Sequence, residues 1–229
     1  MPFSQAKLIK KIQLTEDVFE LHYDIFEMKA MLAGQFITFI IPTIWGRAYS
    51  ILELQGTLVK LIIKRWGIEM WGRWGSIFLC DAKIWDSFSY VWPAWHFILQ
   101  DTQVNKLFLG TGTGLVPLYN QILFWLAKNT WNKYQLVFWV RYEKDLLYLW
   151  EFKKLKEQYP DTFYYHLFVS RDEAHDLILT CYLSDFISER VVEQFQEFYI
   201  CGAPAMIDSC HEKIESFWVH PEQIFFEKY

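Results

Sequence analysis

The chain has 229 residues, 53% of them hydrophobic and 21% charged, with a net charge of −5 at pH 7 and a pI near 5.7. That length accommodates one large domain or two ordinary ones with ample core, and the acidic balance argues against general nucleic-acid binding. No apolar run approaches the roughly 18 residues of a membrane span, and Met1 to Lys11 lacks the apolar core of a secretory signal.

Up to Gln100 the sequence reads as short strands, at 8–14, 18–23, 35–41, 48–52, 58–64 and 88–91, spaced as in an antiparallel Greek-key β-barrel or sandwich. Beyond it the rhythm changes. Apolar strands at 106–109, 135–140, 163–169 and 197–201 alternate with helical patterns at 117–128, 146–158 and 205–217, the order of βαβ units around a parallel sheet. The expected organisation is a β-barrel domain, 1–100, followed by an α/β domain, 101–229. Cys80, Cys181, Cys201 and Cys210 form no C-x-x-C pair or cluster spacing, so a reduced, cytoplasmic protein without a metal is expected. Basic residues gather at Lys7, Lys10, Lys11, Lys64, Arg65 and Arg73, as scattered solvated charges or as a face for an acidic partner.

The run Gly110-Thr111-Gly112-Thr113-Gly114-Leu115-Val116-Pro117 joins an apolar strand to a helix start. Glycines there let backbone N–H groups approach a phosphate, and the helix N-terminus adds partial positive charge. Pro117 suits the first helical turn, where its missing N–H costs nothing. The spacing is neither Gly-x-Gly-x-x-Gly, since Leu115 occupies the third glycine's place, nor a P-loop. In the first half, Arg47-Ala48-Tyr49-Ser50 lies on an extended segment. Arg47 and Tyr49 share one face, so a guanidinium for a diphosphate and a ring for a flat heterocycle stand together.

With these two motifs the chain resembles the ferredoxin–NADP reductase family. Three further matches follow in the family's order: Ser170-Arg171 after the third α/β strand, Cys201-Gly202-Ala203-Pro204 after the next, and Glu227-Lys228-Tyr229. The resemblance implies FAD on the barrel, with Arg47 on its diphosphate, Ala48 and Tyr49 against the ring system and Ser50 near the hydride-accepting nitrogen. Ile62, Ile63 and Lys64, with a turn at Gly75-Ser76, would complete that site. It implies NADP(H) on the α/β domain, with Gly110, Thr111, Gly112, Thr113, Gly114 and Pro117 around the diphosphate. Ser170 and Arg171 would take the 2′-phosphate, and Arg141 would touch NADP or pair with Glu143. Cys201, Gly202 and Glu227 would flank the nicotinamide, and Tyr229 would cover the flavin. Ser50, Cys201, Glu227 and Tyr229 are the implied catalytic set. A monomer exchanging electrons with a ferredoxin, a flavodoxin or another redox protein is expected. A reductase component of an oxygenase or other multi-subunit enzyme, or a non-catalytic flavin-binding module on the same fold, is the alternative.

Twelve tryptophans accompany only ten glycines. Several stand where turns ask for glycine: Trp45 beside Gly46, Trp71 and Trp74 among Gly67, Gly72 and Gly75, Trp85 before Asp86, Trp92 and Trp95 around Pro93, and Trp139 two residues before Arg141. Either these are true tryptophans of an aromatic-rich chain, or they are UGA codons that some bacterial lineages read as glycine. The second reading expects several of them in turns, exposed or at positive φ.

Overall fold

A computed structural model describes residues 3–27, 29–42, 45–67, 74–94, 97–128, 131–173, 178–180 and 182–229. Trp71, Arg73, Trp95 and Cys181 lie outside the described residues. The chain divides into two compact units, 1–99 and 100–229.

The first unit is a closed antiparallel barrel of β1 (Ser4–Gln13), β2 (Val18–Asp24), β3 (Phe36–Ile41), β4 (Trp45–Gln55), β5 (Leu58–Lys64) and β6 (Ser87–Ala94), in the order β1-β2-β5-β4-β3-β6. Closure gives every strand two neighbours in the barrel. Alternation places the inward residues: Ile37, Phe39 and Ile41 on β3 are buried while Phe36, Thr38 and Ile40 are partly exposed. Tyr23, Phe39 and Phe88 form an aromatic centre, with Phe39 lying 5.0 Å from Tyr23 and 6.0 Å from Phe88 between ring centroids. Each such side chain contributes about 1.5–3 kcal/mol on burial.

Gly75-Ser76, expected in a turn, instead begins a helix, α1 (Trp74–Asp81). Leu79 and Cys80 are buried in the barrel core, and that burial outweighs the weak helix propensity of the Gly-Ser start. The other end of α1 is capped from β1. The Lys11 ammonium donates to the carbonyls of Cys80, at 3.0 Å, and Ala82, at 2.8 Å. Arg65 forms a bidentate pair with Asp81, at 2.7 and 2.8 Å. Lys64 pairs with Asp17 at 2.8 Å. Three members of the basic cluster thus have partners within the barrel unit.

The second unit holds a six-stranded parallel sheet in the order β10-β9-β8-β7-β11-β12. Its elements are β7 (Lys106–Thr111), α2 (Leu115–Ala127), β8 (Tyr134–Val140), α3 (Leu149–Gln158), β9 (Phe163–Val169), β10 (Ile178–Thr180), α4 (Leu183–Phe186), α5 (Glu189–Val192), β11 (Glu197–Gly202), α6 (Pro204–Glu215) and β12 (Ile224–Lys228). β7 and β11 are buried at every position, as expected of central parallel strands covered on both faces. The helix expected from 146 starts only at Leu149, because Tyr148 holds φ 60, which a continuous right-handed helix excludes. The sequence pattern does not predict β10 or β12, the two outermost strands.

The chain runs from β7 outward through β8, β9 and β10, then returns to place β11 and β12 on the other side of β7. The order therefore reverses between β7 and β11. In open α/β sheets the crevice beyond the carboxyl ends of the strands at such a reversal is where ligands bind.

Candidate functional site

The glycine loop occupies that reversal. Gly112–Gly114 form a single 3-10 turn leading straight into α2. The glycines serve different purposes. Gly112 has φ +53, and a Cβ there would meet nothing within 4 Å, so the loop faces open space at its tip. Gly114 is wedged: a Cβ would lie 2.3 Å from the Cys201 carbonyl oxygen and 2.8 Å from the Gly202 nitrogen. Gly202, at φ +146, is equally confined, because a Cβ there would lie 2.1 Å from Thr111 Oγ1. The Thr111 hydroxyl accepts from the Ala203 N–H at 3.2 Å. The loop is thus held against the end of β11, with its tip at Gly112 exposed while Gly114 and the first turn of α2 are buried behind it; backbone N–H groups at such a tip suit an anion.

Strand register sets the rest of this edge. Cys201, the penultimate residue of β11 rather than a residue following it, is opposite Gly110 on β7 and opposite Glu227 on β12. The Cys201 thiol is wholly buried, and burial, reinforced by the Glu227 charge, pushes its pKa up, so it stays a neutral thiol. Burial also lifts the Glu227 carboxyl to about 7, and its Oε2 is buried without a hydrogen-bond partner. Tyr229 is held in place: its backbone N–H donates to the Gly202 carbonyl at 3.1 Å.

At the ends of β8 and β9 the backbone joins the remaining nucleotide candidates. The Ser170 N–H donates to the Val140 carbonyl at 3.2 Å and the Arg171 N–H to the Arg141 carbonyl at 2.9 Å. The exposed Arg171 guanidinium lies over the Tyr142 ring, 5.9 Å from its centroid, and donates to the phenol at 3.3 Å. Tyr142, Glu143, Lys144, Leu149 and Asp172 line an open groove here. Asp172 accepts the Glu143 N–H at 2.6 Å. Sequence motifs point to Arg141 and Arg171 but not to Tyr142 and Asp172; their adjacency to those arginines is the one signal that could have found them.

The barrel gathers its own set. β4 pairs with β3 from Trp45 to Ser50 and with β5 from Ile51 onward, where Ile51 is opposite Leu61. The β4–β5 register stops there, so Arg47–Ser50 and Ile62–Lys64 border a seam in which the two strands are not paired. Both segments are those assigned to FAD. Ile62 and Ile63 turn their side chains into buried surroundings, leaving their backbone as the means of contact. The first turn of α1 abuts the same seam. A Cβ on Gly75 would lie 2.7 Å from Arg47 Cγ and 2.9 Å from the Tyr49 hydroxyl oxygen. Ser76 Oγ accepts the Trp66 N–H at 3.3 Å. Burial raises the pKa of the Tyr49 phenol, which stays neutral. A guanidinium, a helix N-terminus, a ring and a split in the ladder are what a flavin with a diphosphate arm requires, and the residues present fit that group.

Residues 108–212 match the family model of the oxidoreductase NAD-binding domain. The chain is 26% identical over 204 residues to the toluate 1,2-dioxygenase electron transfer component of Pseudomonas putida, covering 87% of this chain and 59% of that protein. It is 26% identical over 163 residues to a component of the Na(+)-translocating NADH-quinone reductase of Marinomonas sp., covering 67% of this chain and 40% of that one. The chain therefore spans about half the length of these curated relatives. Among solved structures it is similar to ferredoxin-NADP+ reductase from Plasmodium falciparum, with a TM-score of 0.81 and 22% identity, covering 99% of this chain and 96% of that one.

Proposed function

We propose that this chain, which belongs to the ferredoxin reductase-like family of FAD- and NAD-binding oxidoreductases, takes reducing equivalents from NADPH through FAD to a ferredoxin or flavodoxin. Bound FAD supplies the conversion between two-electron and one-electron chemistry; the protein supplies binding, orientation and electrostatics.

On the barrel, Arg47 and the first turn of α1 at Gly75 and Ser76 hold the diphosphate. Tyr49 packs on the ring system, with Ala48 and the backbone of Ile62, Ile63 and Lys64 along the seam, and Ser50 offers its hydroxyl to the ring's edge. On the α/β unit, the open tip at Gly112 and the N-terminus of α2 bind the dinucleotide diphosphate, while Ser170 and Arg171 bind the 2′-phosphate, with Arg141 beside them. Cys201 and Glu227 position the nicotinamide. The Cys201 thiol stays neutral behind this edge, and the Glu227 carboxyl exchanges a proton near neutral pH because burial lifts it to about 7. Tyr229 would supply an aromatic ring to shield the bound flavin.

The observation that carries this reading is the alignment of Gly110, Cys201 and Glu227 on three neighbouring strands at the reversal of the sheet. The test is optical. Purified protein should show flavin absorbance that bleaches on anaerobic addition of NADPH, and a colourless protein that cannot be reconstituted with FAD would overturn the proposal. Bleaching also excludes a non-catalytic flavin-binding module.

A second reading is an NADH-dependent reductase component of an oxygenase. Asp172, directly after Arg171 and lining the groove beside Tyr142, favours it, because an acidic side chain at such a site pairs with an unphosphorylated ribose. The ratio of kcat/KM for NADPH and NADH separates the two.

A further inference from the structure

Backbone geometry singles out three tryptophans. Among the described residues, the non-glycine positions with positive φ are Phe26, Trp45, Trp85, Tyr148 and Trp218. Three of these five are tryptophan, a residue filling twelve of 229 positions. Nothing in the sterics of the left-handed region favours an indole; glycine enters it freely, and asparagine and aspartate are its usual substitutes.

Each of the three occupies a position whose local chemistry asks for glycine. In the turn 83–86, the Asp86 N–H donates to the Lys83 carbonyl at 3.0 Å, and the Lys83 N–H donates to Asp86 Oδ2 at 2.8 Å. Trp85 is the third residue of that turn with φ 83, the angle and position that a type II turn reserves for glycine. Trp218 follows α6, its N–H donates to the Glu215 carbonyl at 2.9 Å, and its φ of 64 is that of the left-handed residue ending a helix. Trp45, at φ 64, opens β4 opposite Ile41, the last residue of β3, and positive φ at that position again favours glycine.

Burial does not offset the strain. The three residues are 84%, 63% and 92% exposed for Trp45, Trp85 and Trp218 respectively. Trp125 shows what a tryptophan selected for its side chain looks like: it lies within α2, 1% exposed, stacked on Tyr134 at 6.2 Å.

We infer that positions 45, 85 and 218 are glycine in the protein its source cell makes, their UGA codons being read there as glycine, whereas Trp125 is a true tryptophan. The consequence for the barrel is direct: residues 45 and 46 become a glycine pair leading into the Arg47 segment. The inference is independent of the proposed activity.

Two measurements test it. Sequencing the gene and the tryptic peptides of the native protein should give UGA codons and glycine at 45, 85 and 218, with UGG and tryptophan at 125. UGG codons, or tryptophan in those three peptides, overturn the inference. Separately, the chain as written is compared with its Trp45→Gly/Trp85→Gly/Trp218→Gly variant by thermal unfolding. Relief of left-handed strain should raise the midpoint by roughly 2–8 °C for each position, while Trp125→Gly lowers it. A triple variant no more stable than the tryptophan chain would remove the physical basis of the assignment.

Discussion

Cys201 and Glu227 are register partners on adjacent parallel strands, the thiol fully buried and the carboxylate left with one buried, unpartnered oxygen. An unpartnered buried carboxylate oxygen costs free energy in the folded chain, and that cost has a pH signature.

Glu227 titrates near 7 when folded against an ordinary value of 4.5, so folding favours its protonated form. Below about pH 4.5 the carboxyl is protonated in both states and imposes no charge penalty. The penalty grows as pH rises to about 7 and is constant above, reaching about 3 kcal/mol at 1.36 kcal/mol per unit. Glu227→Gln should therefore raise the unfolding midpoint at pH 8 and leave it nearly unchanged at pH 4.5. Thermal melts at the two pH values check this, and an equal shift at both would contradict it.

The two loop glycines should respond differently to one added methyl group. Gly112→Ala adds strain at φ +53 but meets open space, for a cost of about 1 kcal/mol. Gly114→Ala drives a Cβ into backbone atoms of Cys201 and Gly202, and because backbone cannot rotate away the cost should exceed about 3 kcal/mol. Calorimetry of the two variants, with titration of NADPH into each, should show Gly114→Ala as the more damaging for both stability and binding.

Arg171 is exposed and already oriented by Tyr142. Arg171→Ala should lower kcat/KM for NADPH about 10–100-fold, the worth of a charge-assisted hydrogen bond to a phosphate, with NADH little affected. If both nucleotides lose equally, Arg171 does not read the 2′-phosphate. Asp172→Asn tests the competing reading, since it should weaken NADH use only if that carboxylate meets a ribose.

At the opposite end of β7 and β11, the Lys106 ammonium is fully buried, 2.7 Å from Glu197 Oε2 and 2.9 Å from the Thr102 carbonyl. Tyr199 donates to the same Glu197 oxygen at 2.7 Å, and Thr102 donates to the other. Removing one charge strands its partner: Lys106→Met should cost about 3–5 kcal/mol. Lys106→Met/Glu197→Gln should recover much of that, because glutamine carries no charge and still accepts the Tyr199 hydroxyl. Denaturant unfolding of the two variants measures the difference.

Much of this molecule is legible in one dimension. The apolar run along 36–41 marks β3, whereas the inward set Ile37, Phe39 and Ile41 shows only in the folded strand. The glycine loop announces itself by composition and by lying between an apolar strand and a helical pattern. The start of α1 is not legible, because Gly75-Ser76 has turn chemistry and only the burial of Leu79 and Cys80 among distant strands makes it a helix. The short strand β10, at 178–180, carries too few residues to show a period.

The sequence by itself determined the two-part organisation, the alternating βαβ order and the residue types able to grip a dinucleotide, because these follow from local periodicity and backbone sterics. Tertiary structure alone decided which of those residues meet. The reversal of strand order sets Gly110, Cys201 and Glu227 at one level, and the stop in the β4–β5 register opens the seam between Arg47–Ser50 and Ile62–Lys64. It also assigned left-handed φ to Trp45, Trp85 and Trp218. Register and turn geometry join residues far apart in the chain, and no local pattern encodes them.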